Sequence, residues 1–158
     1  MERYYEDVAI GLDLPTITPP SMSVAHIMRW SASMENWHRI HYDWRFATQH
    51  DKLPDVLVPG SWKQHILLQM LSTFVGSTGW IWQLRFQFRG MSTADATLTT
   101  WGKVTQAKVR GTYGVVDVDV GMRDDAGVES SPGSAVLVLP LRQGPALPYP
   151  FDPACLGG

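Results

Sequence analysis

Pro59-Gly60-Ser61-Trp62-Lys63-Gln64-His65-Ile66-Leu67-Leu68-Gln69-Met70-Leu71-Ser72-Thr73-Phe74-Val75-Gly76 is the stretch on which the fold turns. Pro59-Gly60-Ser61 reads as a helix start, with Ser61 as the candidate N-cap. Behind it Trp62, Ile66, Leu67, Met70, Leu71, Phe74 and Val75 recur at helical spacing. Apolar residues take up so much of the circumference that this helix is expected to be largely buried, with Gly76 and Gly79 ending it.

Four strand-like segments follow. In the first, Trp80, Trp82, Leu84, Phe86 and Phe88 alternate with Ile81, Gln83, Arg85, Gln87 and Arg89, a period of two with one wet face. The second runs roughly from Ala96 to Val109. The third sets Gly114, Val116, Val118, Val120 and Met122 against Tyr113, Val115, Asp117, Asp119 and Arg123. An Asp124-Asp125-Ala126-Gly127 turn leads to the fourth, Ser134 to Leu141. Upstream, Pro15, Pro19 and Pro20 keep residues 11–20 extended. Residues 22–30 fit a first strand, and a short helix is expected from Asp43 to Gln49. A long buried helix followed by antiparallel strands is an α+β plan, with a sheet curled around the helix. Two such sheets joined edge to edge would cover an open edge strand, so a dimer is expected.

The bulk numbers narrow the function classes. With 158 residues, 44% hydrophobic and 18% charged, the chain suits one globular domain, 1–158, with an extended lead-in (1–20) and a Pro-rich tail (143–158). A net charge of -2 lacks the basic excess of nucleic-acid or membrane-surface binders. No apolar run of bilayer length occurs, and Met1 to Asp7 lack the apolar core of a secretory signal. Cys155 is the sole cysteine, which leaves no internal disulfide and makes the cytoplasm the expected compartment. His26, His50 and His65 have no paired ligand spacing, so no metal site is expected.

Chemistry concentrates in Asn36-Trp37-His38-Arg39-Ile40-His41-Tyr42-Asp43, with Ala47 six residues beyond His41, where a small residue lets a short helix pack closely. The block resembles the signature of the MaoC-like (R)-specific enoyl-CoA hydratases and 3-hydroxyacyl-thioester dehydratases. In that signature an acidic residue and a histidine five positions later grip one water. The Asn-x-His-Arg-Ile-His-Tyr-Asp form is similar to the fungal-type mitochondrial dehydratases and the mesaconyl-CoA-type hydratases of the same superfamily. Tyr5 to Gly11, Val58-Pro59-Gly60, Phe86 to Gly90 and Gly102-Lys103-Val104 fit the same pattern, which extends the resemblance from Tyr4 to Leu141.

The resemblance implies a hot-dog fold and a carbon–oxygen lyase acting on a coenzyme A thioester, with no cofactor beyond the coenzyme A of the substrate. It implies a homodimer or a heterodimer with another hot-dog chain. It makes His41 and Asn36 the candidate catalytic pair and the backbone N–H of Gly60 the candidate oxyanion donor. Adding water to a conjugated double bond needs a base for water, an acid for the α-carbon and donors for the enolate oxygen. An imidazole titrates near neutrality, so His41 suits base or acid. An amide can orient water but accepts no proton. Since Asn36 stands where most relatives carry Asp, His41 must act alone or be assisted by Glu35 or Asp43. Pro59 replaces the usual His there, and Arg39 a proline.

Plainer roles stand beside these. His41 fits a packed imidazole on a carbonyl, and His38 a loop fastener that also suits the site's wall. Asn36 fits a local cap, and Gly60 a turn requirement. Trp80 and Trp82 suit a core, a dimer interface or the wall of an acyl tunnel. Arg85, Arg89, Lys103, Lys108 and Arg110 are solvated charges of which one or two can meet coenzyme A phosphates. Three alternatives to the lyase remain: a non-catalytic subunit of a heteromeric hydratase, a thioesterase and a plain binding module. The absence of Asp and Glu from Val56 through Gly79 argues against the thioesterase.

Overall fold

The computed structural model describes residues 2–157; Met1 and Gly158, the outer ends of the lead-in and tail, lie outside the described residues. Helix α1 spans Val24–Ser33, α2 Gly60–Val75, and the strands are β1 Trp80–Phe86, β2 Leu98–Arg110, β3 Tyr113–Asp124 and β4 Gly133–Pro140. The four strands form one antiparallel sheet in the order β1-β4-β3-β2.

Helix α2 lies in the curve of this sheet. Leu67, Met70, Leu71, Phe74 and Val75 meet Val104 of β2, Val116, Val118 and Val120 of β3, and Leu137 and Leu139 of β4. Its first turns, through Trp62 and Ile66, pack with Ile27 of α1 and with Met22, Ala47, Val56, Val58, Leu98 and Met122. Gly76 ends the helix at φ 68°, a left-handed value that glycine adopts without strain. The lead-in runs beside β2: the Gly11 N–H donates to Val104 O at 2.8 Å and the Leu14 N–H to Gly102 O at 2.9 Å. This strap covers one sheet edge. At the other edge, β1 pairs only with β4 among the described residues.

Three expectations need correction. Residues 22–30 are helical, not a strand. Ser23 caps the N-terminus through its Oγ, and the positions that bury fully, Ile27 and Ser31, are four apart on one helical face. Ser61 is not the N-cap of the long helix. Pro59 holds that position with extended backbone (φ -62°, ψ 136°), and Ser61 is already helical.

The third correction concerns β1. A bulge between Ile81 and Gln83 resets its alternation, so Ile81, Leu84 and Phe86 face the helix while Trp80 and Trp82 face outward. There the C-terminal tail covers them, with the Phe151 ring 6.1 Å from each indole. The tail thus packs on its own sheet, and Trp82 joins the small core beneath it.

The expected short helix is present as a π-helical turn, Phe46–His50, with Ala47 fully buried beneath it. Among the described residues no helix is long and apolar enough to cross a membrane.

Candidate functional site

The segment from Asn36 to Asp43 is fastened by its own side chains. His38 Nδ1 accepts from the Ile40 N–H, and Arg39–His41 form a 3-10 turn. Asp43 accepts from the Phe46 N–H at 3.0 Å and pairs with Arg39 at 2.7 Å, while the Arg39 guanidinium lies 4.3 Å from the Phe46 ring centre. The Phe46 N–H bond and then the Arg39 partner hold the Asp43 carboxyl below its usual range. Tyr42 donates to Trp37 O at 2.8 Å.

These contacts place the His41 side chain, 7% exposed, against Leu57 O, 2.8 Å from Nδ1. A carbonyl only accepts, so Nδ1 carries the proton and Nε2 keeps its lone pair. Burial holds His41 below the ordinary imidazole range and His38 pushes the same way, against the opposing bond to Leu57. A neutral ring with a basic Nε2 results.

Leu57 lies just before α2, so the same carbonyl brings His41 to that helix's start. A cavity of about 400 Å3 opens there, lined by Asn36, His41, Gly60, Ser61, Lys63 and Phe88, among others. Among the described residues neither the Gly60 nor the Ser61 N–H meets an acceptor. Such orphan donors at a helix start favour negative charge. The Phe88 ring lies over Gly60, where a β-carbon would fall 2.6 to 2.9 Å from ring atoms, so close approach also calls for glycine. Ser61 Oγ accepts from Trp30 Nε1 at 2.9 Å, which ties α1 to α2 at the cavity wall.

Asn36, His41, Gly60 and Ser61 therefore come together. Asn36 Oδ1 accepts from the His38 N–H at 3.3 Å, so its local turn role is real, and its NH2 meets no acceptor among the described residues. His38 stands behind His41, ring centres 6.3 Å apart, outside the cavity lining. Glu35 and Asp43 are not in that lining either. Glu35 accepts from Trp37 Nε1 on the surface, and Asp43 caps the following helical turn. Asp43→Asn, which keeps an acceptor for Phe46, should leave turnover near the wild-type value; loss of most activity would return its carboxylate to the chemistry.

Sequence reasoning passed over Lys63, the one Lys, Arg, Asp or Glu between Val56 and Gly79. It is 3% exposed, its Nζ donates to Gly90 O at 3.0 Å, and burial pushes its pKa down to about 8. A single formal charge inside a helix expected to be buried was the available signal. Met91 and Ser92 of the cavity wall carried none. A second groove, about 480 Å3, adjoins through Arg89 and includes Arg85, Gln87, Asp119 and Ser134. Lys103 lies elsewhere, 3.4 Å from Asp13. Among the described residues no three His, Cys, Asp or Glu side chains gather as metal ligands.

A sheet curled around a long buried helix defines the hot-dog class. The (R)-hydratase from A. caviae involved in PHA biosynthesis superposes with a TM-score of 0.75 at 16% identity, covering 85% of this chain and 99% of its own. R-hydratase PhaJ1 from Pseudomonas aeruginosa gives 0.76 at 15%, covering 92% and 93%. One chain of the ChsH1-ChsH2 complex from Mycobacterium tuberculosis gives 0.71 at 17%, covering 84% of this chain and 98% of its own. The family model of hydroxyacyl-thioester dehydratase type 2 matches residues 13–96, more than half of the sequence, and the chain belongs to that family. No curated protein matches it.

Proposed function

We propose that the cavity at the start of α2 is where an enoyl-CoA gains water or a 3-hydroxyacyl-CoA loses it. The reading rests above all on His41: its Nδ1–H is engaged by Leu57 O, which leaves a basic Nε2 in the same cavity as the orphan N–H of Gly60. In hydration, water held by the Asn36 amide gives a proton to His41 Nε2 as its oxygen bonds to the β-carbon. The thioester oxygen takes on negative charge against the Gly60 N–H. Removing one such donor typically costs on the order of 3 kcal/mol in the barrier. The coenzyme A moiety runs toward Arg85 and Arg89, whose guanidinium groups suit a polyanion.

The assay is loss of enoyl absorbance with crotonyl-CoA and longer or branched enoyl-CoAs. Turnover supports the lyase; a well-folded chain inert toward all of them sinks it. Asn36→Asp should keep or raise the rate, since a carboxylate holds water at least as well as an amide. A folded but dead Asp variant would remove Asn36 from the water site.

A second reading, a subunit completed by another hot-dog chain, is favoured by Asn36 standing where a proton carrier is expected. The open edge of β1 offers the surface for pairing with an identical or a different chain. Inactivity alone, with turnover restored by a co-purifying hot-dog partner, would establish it.

A further inference from the structure

Hydration takes one proton from water and gives one to the α-carbon; a lone His41 has to serve both in turn, and a second proton carrier would relieve it of the latter. The titratable side chains of the cavity lining are His41, Lys63 and Arg89. Arginine does not give up its proton in proteins. The carboxylates nearest His41 in sequence are spent elsewhere, Glu35 on Trp37 and Asp43 on Phe46 and Arg39, and Asp55, the nearest to Lys63, accepts from the Val56 N–H. Glu129, outside the cavity lining, is bound to Trp101, Arg123 and the N–H groups of Met122 and Ser131.

Lys63 remains. It sits one turn into α2, and helical side chains lean back toward the N-terminus, which directs its stem toward Gly60. Its ammonium has one hydrogen bond, to Gly90 O, and among the described residues it makes no ion pair, so two N–H donors are uncommitted. A buried cation beside a helix's positive end, with Arg89 on the same wall and no acid facing it, is a costly arrangement. An anion that forms in the cavity during reaction offsets that cost.

We propose that Lys63 is the second proton carrier of the site, giving its ammonium proton to the α-carbon in hydration. This rests on the hydratase reading above. As water oxygen bonds to the β-carbon, His41 Nε2 takes its proton and the double-bond electrons move to the thioester oxygen. The enolate then re-forms its C=O, and the α-carbon bonds to a proton from Lys63 Nζ. Imidazolium and amine are left, and one proton passing from His41 to Lys63 restores both. That transfer is downhill, because Lys63 near 8 is a stronger base than His41, which burial holds below the imidazole range. In dehydration the steps run backwards.

The test is the pH dependence of hydration of whichever enoyl-CoA the full chain turns over, for wild type, K63M and K63R. Wild type should lose rate as pH rises through about 8, where Lys63 deprotonates. K63M should lose kcat by on the order of a hundredfold or more, with KM little changed and that alkaline limb gone. K63R keeps the charge and a donor for Gly90 but holds its proton too tightly, so it should stay as slow as K63M. Recovery of kcat in K63R, or an unchanged limb in K63M, overturns the proposal and leaves an electrostatic or structural lysine. Inactive wild type toward every enoyl-CoA overturns the hydratase reading and this proposal with it. Active wild type indifferent to Lys63 overturns only the latter.

Discussion

His41→Ala is expected to lower the hydration rate by on the order of a thousandfold, the contribution usual for a positioned acid–base group. The chain should stay folded, because the ring borders a cavity and donates one bond, to Leu57 O. The wild-type pH profile carries a second signature of the same residue. Nε2 must be unprotonated to take a proton from water, and burial lowers the pKa of His41 below the usual 6.5. Hydration should therefore hold its rate as pH falls through 6.5 and decline only at more acid values, and His41→Ala should abolish that limb. Full activity in the alanine variant would take His41 out of the mechanism and leave it a packed histidine.

Phe74→Ala should have the largest effect on stability. Its side chain is 1% exposed in the centre of the helix–sheet core, with the Arg3 guanidinium 4.3 Å from its ring centre. Removing a buried phenylalanine ring costs roughly 3–5 kcal/mol in lost transfer energy and cavity formation. For a domain of this size that lowers the melting temperature by on the order of 10 °C. Phe74 is about 20 Å along the helix from Gly60, at 1.5 Å of rise per residue. Below the new transition, kcat should be preserved. A melting point within a degree or two of wild type would mean that the sheet does not close on this end of the helix.

The two variants test different ends of one helix, and the ends differed in how much the sequence showed of them. The buried run from Trp62 to Val75, its glycine stop and the alternation in β3 were plain, because each repeats at the period of its own backbone. Segment 22–30 is helical although Met22, Val24, Met28 and Trp30 fall at a strand's period of two, and burial at Ile27 and Ser31 emerges only when α1 lies on α2. Strict alternation also misplaced Trp80 and Trp82, since one extra residue at a bulge shifts the phase without altering composition. Around the site, Asn36, His41 and Gly60 were legible as residue types at a spacing. Lys63 was not singled out, although it was the one charge in an apolar helix.

By itself the sequence determined which segments are helix and strand wherever a period persists, the α+β layering they require, and a polar block rich in groups that titrate or orient water. Those are local properties of backbone and side chain. Tertiary structure alone decided that Leu57 O holds the proton on His41 Nδ1, that Asp43 and Glu35 are spent away from the cavity, and that Lys63 is inside it. Each of these depends on which distant group a side chain meets after packing. Burial and hydrogen-bond partners, not residue type, set the protonation and availability of every group the chemistry needs.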